Sequence, residues 1–224
     1  MRPVQKYKRN YRRFTWTNRT ANGAPVLTRR RNTPKDECSF YSVIAALESN
    51  MRLQRGFVDN LSIKYLKQKR KKVLSADVEM TKFGKVEQLL KILKEIGVPS
   101  EHIYNLILQR QCPVCPMHKI SGYKKYDVSK PMHIRAALER HLKHGPMVAV
   151  FWISANYDEC MKNGAVYRFI HIRGKVRISH EVCVVNFGIE EDVPFLLFRL
   201  DIAGWPEFGR VEMQSVIELY GINM

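Results

Sequence analysis

From Cys38 onward the apolar positions Phe40, Val43, Ile44, Leu47 and Met51 recur at helical spacing. That stripe predicts one amphipathic helix with Cys38 in its first turn. Asp36 stands where an N-cap residue belongs, which gives the acidic pair Asp36-Glu37 a structural explanation. The stretch LSIKYLKQKRKKVL predicts a second, heavily charged helix, and Val86, Leu89, Leu90 and Leu93 mark a third. Ile134, Ala137, Leu138, His141 and Leu142 mark another, stopped by Gly145-Pro146, while QCPVCPMH reads as a proline-broken loop. Beyond Pro146 the pattern changes. MVAVFWI, EVCVVNFG, VPFLLFRLD and GRVEM are short β-branched or aromatic runs between turn residues, and they predict strands. Helices first and strands second make this an α+β chain. Residues 1–33 are expected to form a basic N-terminal arm partly packed on the fold, 34–130 a helical lobe and 131–224 a β-rich lobe.

Charge changes the picture. Thirty-eight Lys and Arg against 21 Asp and Glu give a net +17 over 224 residues. Such a surface attracts anionic partners or serves as a solvated face. Residues 1–35 contain no acidic side chain, and KYKRNYRRFTW interleaves Lys and Arg with Tyr7, Tyr11, Phe14 and Trp16. Basic groups between rings can hold phosphates and stack bases, so nucleic acid is one candidate partner of the arm. The alternative is an arm lying on its own fold. No apolar run resembles a secretory signal or reaches the roughly 18 residues that span a bilayer, so the expected location is cytoplasm or nucleus. Nothing in the pattern calls for a cofactor, and a monomer is the default. The five cysteines (38, 112, 115, 160 and 183) are odd in number and irregular in spacing, as free thiols of a reducing compartment would be. Cys112, Cys115 and His118 lie at spacings zinc could use, but no fourth ligand follows at a recognisable distance.

Cys38 raises a chemical question. A thiol has a pKa of about 8.5 and becomes a nucleophile near neutrality only with help from a helix N-terminus or an imidazolium. Of seven histidines, His180 immediately precedes the apolar run EVCVVNFG, whose sheet would hold it rigidly.

Here the residues carry a resemblance. DECSFYSVIAALES, followed by Leu61-Ser62, is similar to the stretch around the nucleophile of papain-like (cathepsin-type) cysteine proteases. HGPMVAVFWISANYDECMKNGAVY, SHEVCVVNFG and GWPEFGRVEM resemble three further blocks of that family, in the family's order, from about Phe14 to Met213. His180 follows Cys38 by 142 residues, within the family's spacing of about 130–150. The resemblance implies a two-lobed fold with a cleft, in which Cys38 attacks a peptide carbonyl and His180 protonates the leaving amine. It implies an oxyanion role for Asn32, which stands where the family has Gln. The histidine-orienting Asn of the family falls on Arg199, with Asp201 two residues on as a substitute, and the glycine pair that binds substrate backbone survives only as Phe83-Gly84. Arginine cannot accept a hydrogen bond and its charge disfavours an imidazolium. Glu181 replaces a small residue after the histidine, Ser39 replaces a tryptophan, and Lys35 replaces a disulfide cysteine. Two readings follow. One is a cysteine peptidase built on a Cys38–His180 dyad; the other is a catalytically inactive relative that binds protein or nucleic acid through its cleft or basic surface.

Overall fold

A computed structural model describes residues 15–57, 59–112, 114–174 and 177–224. The basic and aromatic interleaving before Thr15 therefore lies outside the described residues. The chain enters through a two-stranded hairpin, β1 (Thr20–Ala21) and β2 (Ala24–Pro25), and then runs into α1 (Cys38–Arg55). The apolar stripe read from the sequence buries Val43, Ile44, Leu47 and Met51 completely or nearly so. The helix stops at Gly56, whose φ of 65° is left-handed and lets its N–H reach the Met51 carbonyl. Asp36 does not cap it. Lys35–Glu37 is a 3-10 turn, Glu37 takes the N-cap position without a side-chain cap bond, and its carboxylate instead holds Lys67.

α2 (Ile63–Ala76) starts on a cap the sequence does provide, Ser62 Oγ accepting from Tyr65 N at 3.2 Å. α3 (Lys85–Glu95) and α4 (Glu101–Leu108) complete the helical part, α4 capped by Ser100. β3 (Gly122–Lys125) leads into α5 (Pro131–His141), then β4 (Met147–Ile153), α6 (Tyr157–Lys162), β5 (Val166–Tyr167), β6 (Ile178–Glu190), β7 (Val193–Arg199), β8 (Phe208–Glu212) and β9 (Val216–Asn223). Seven strands form one sheet in the order β3-β9-β4-β6-β7-β8-β5, antiparallel throughout except for β5 against β8.

β3 comes from the stretch assigned above to the helical lobe, yet it pairs with β9 at the edge of the sheet. One continuous apolar core runs through α1, α3, β4, β6 and β9, so helices and sheet share an interior. Trp16 pins the incoming chain to the sheet side, through its N–H to Val185 O (3.2 Å) and its indole to Leu142 O (2.8 Å). Cys112 and Cys115 are joined by a disulfide, which corrects the expectation of five free thiols and takes two ligands from the zinc trio. His118 bridges Val98 through its backbone and packs its ring on Phe57.

Candidate active site

α1 packs against β6, and this contact decides which strand side chains approach Cys38. Successive residues of a strand point to opposite faces. His180 pairs across the sheet with Phe151 of β4, so these two share a face, and Phe198 of β7 lies on it too with its ring 5.6 Å from Phe151. The imidazole sits edge-on to Phe151 (5.6 Å) and to Tyr157 (5.2 Å), half-buried among rings. Glu181, Cys183 and Arg199 occupy the opposite face.

Cys38 Sγ accordingly donates to Glu181 Oε2, while Ser179 Oγ donates to Oε1 at 2.9 Å. Among the described residues no hydrogen bond joins Cys38 to His180. The sulfur is bonded to Glu181, and His180, the neighbouring residue of β6, leaves from the other face of the strand.

Electrostatics follow the geometry. Burial, the Glu181 charge and the hydrogen bond to that carboxylate raise the Cys38 thiol to about 12. The amides of Glu181 and Ser39 pull the other way, the latter being what a helix start offers a thiolate, and they lose. Burial alone lowers His180 to about 4. An ion pair would lower the thiol and raise the imidazole, so both groups move against it. Near neutral pH the thiol therefore keeps its proton. The Tyr157 ring touches His180, and its hydroxyl is buried without a hydrogen-bond partner among the described residues, so burial first and the Asp158 charge second raise its pKa.

The supporting positions are also engaged elsewhere. Asn32 is exposed, and its Oδ1 accepts from Ala203 N at 3.4 Å. Asp201 Oδ1 lies 2.9 Å from Arg199 Nε without hydrogen-bond alignment, and the Arg199 Nη1 donates to Thr28 Oγ1 at 3.0 Å. Arg199 and Asp201 both act on Cys183, and among the described residues no hydrogen bond joins either to His180. Gly84 is the N-cap of α3, and a Cβ there would meet the Glu218 carboxylate. In the sequence Glu181 stands out only as the replacement of a small residue after the histidine. The signal that could have promoted it is strand alternation beside His180. Among the described residues no group of His, Cys, Asp and Glu is placed to hold a metal ion.

No protein-family model matches the chain, and no curated protein matches its sequence. Solved structures do match its shape. A structure from a study of the mite allergens Blo t 1 and Der p 1 superposes with a TM-score of 0.67 at 18% identity, covering 100% of this chain and 74% of the other. Digestive procathepsin L 3 from the larval midgut of Tenebrio molitor gives 0.63 at 16%, covering 100% and 73%. Bromelain protease from Ananas comosus gives 0.58 at 15%, covering 89% and 94%. Likeness at these identities speaks to architecture: the chain has the fold of papain-like cysteine proteases.

Proposed function

We propose that this chain is a papain-fold protein that does not hydrolyse peptide bonds and works as a binding protein. The observation that carries the reading is the partner of the sulfur. Cys38 holds its proton against a carboxylate, and His180 is a neutral ring among aromatics. Covalent acyl transfer needs a thiolate to attack and an imidazolium to protonate the leaving amine; at neutral pH this site supplies neither. The test is incubation of the folded protein with peptide substrates and with a cleft-directed electrophile. Expected are no turnover and labelling of Cys38 slower than a free thiol, unchanged in His180→Ala.

The peptidase reading keeps one observation in its favour, the seat of Cys38 at the first residue of an 18-residue helix in a papain-like fold. It requires Glu181 to leave the sulfur and His180 to leave its aromatic bed. Fast labelling that collapses in His180→Ala, or peptide turnover lost in Cys38→Ala, overturns the binding reading and establishes the peptidase.

A further inference from the structure

The run Arg29-Arg30-Arg31, which the sequence reading passed over, lies along the C-terminal half of α1 and builds a cavity there. Arg52 of α1 donates Nη1 to the carbonyls of Pro25 (2.9 Å) and Leu27 (3.4 Å), which fixes one wall. The cavity measures about 610 Å³, and among the described residues Arg29, Arg30, Arg31, Arg52, Thr28 and Asn60 supply its polar lining. No carboxylate of a described residue lines it.

The arginines are held in place more than they are neutralised. Arg31 is tied to the buried Glu48 (2.5 Å). Arg30 is fixed by the neutral carbonyls of Ile202 (2.5 Å) and Trp205 (3.2 Å). Arg29 is exposed and makes no hydrogen bond or ion pair with a described residue. Among the described residues the buried Nε of Arg52 has no hydrogen-bond partner, and neither has the Nη2 of Arg199 behind Thr28. Five guanidiniums thus share two carboxylates, Glu48 and Asp201. Burial, Arg199 and Arg31 all depress Arg52 below its usual basicity, with Glu48 opposing. Crowded like charges with unpaired donors are an unfavourable arrangement that an anion would relieve.

We propose that this cavity binds a compact anion carrying several phosphate groups. Guanidinium forks match phosphate oxygens two at a time, and the volume falls in the range of about 300–1,000 Å³ usual for small-ligand sites. Among the described residues no aromatic ring lines the cavity to give bases a stacking platform, and a single-stranded nucleic acid is the less favoured occupant. The proposal does not depend on the chemistry of Cys38.

Calorimetric titration with inorganic triphosphate at low and moderate salt tests it. We expect saturable one-to-one binding that weakens with salt, about tenfold weaker in Arg29→Gln and further weakened in the double variant with Arg52→Gln. Cys38→Ala should bind as the unaltered chain does. Arg140→Gln, the same charge change on an exposed position of α5, should have little effect. Arg29 makes no hydrogen bond or ion pair with a described residue, so its variant keeps the test valid even where loss of Arg52 perturbs folding. No binding, equal weakening by Arg140→Gln, or binding of a twelve-nucleotide single strand that triphosphate cannot displace would each overturn the proposal.

Discussion

Cys38 and Glu181 meet because a helix start and a strand face converge, while His180, next to Glu181 on β6, leaves from the strand's other face among aromatic rings. The thiol loses water and gains an anion, so it keeps its proton; the imidazole loses water and gains only rings, so it stays neutral. The histidine makes a stability prediction with a definite sign. Unfolded, the ring takes a proton near pH 6.5; folded, only near 4. Between those values the unfolded chain holds the extra proton, so stability falls as pH drops from about 6.5 toward 4. The full difference is worth roughly 3 kcal/mol, and solvent reaching the half-buried ring reduces it to about 2. His180→Phe keeps the contacts with Phe151 and Tyr157 and cannot titrate. Urea unfolding at pH 7.5 and pH 4.5 should show a loss smaller by about 2 kcal/mol in the variant. Equal losses would mean the imidazole titrates in the fold as it does in water.

At the scale of elements, the junction between α5 and β4 is set by one glycine. Gly145 has a φ of 154°, and a Cβ there would come within 1.8 Å of Asn50 Oδ1. Asn50 is wholly buried in α1 and ties that helix to the strand entry, its Nδ2 donating to Ala46 O (2.7 Å) and Pro146 O (3.0 Å). Gly145→Ala should therefore destabilise the fold by about 3 kcal/mol through backbone strain and displacement of Asn50. An unchanged urea midpoint would contradict this packing. Elements of this kind were legible where apolar spacing is regular: α1, α2, α3, α5 and the strands β4, β6, β7 and β8 follow runs visible in the sequence. β3 was not, because GYKK is a short edge strand whose two lysines face solvent. α4 and α6, of eight and six residues, are too short to establish a helical period. The N-cap of α1 was not legible because Asp36 and Glu37 look alike in sequence; in the fold Glu37 holds that position and its carboxylate turns to Lys67.

For the whole molecule, the two-part architecture was readable from the shift between helical and strand periods, and the solved structures of similar shape agree with it. The site was readable only in part. Sequence order places Cys38 and His180 in the right elements, but it does not say which face of β6 meets α1, and that orientation decides between imidazole and carboxylate. The arginine cavity was hidden for a similar reason, since Arg52 stands more than twenty residues from Arg29–Arg31 and joins them only when segment 24–31 lies along α1.

The central claim is that Cys38 is a protonated thiol held by Glu181, uncoupled from His180. It is tested most directly by the pH dependence of Cys38 alkylation with a small neutral reagent on the folded protein, alongside His180→Ala and Glu181→Gly. The account predicts a rate below that of a free thiol at pH 7, still rising at pH 10, unmoved in His180→Ala and at least about tenfold faster at pH 7 in Glu181→Gly. A rate already at its plateau below pH 6, abolished in His180→Ala, would contradict it.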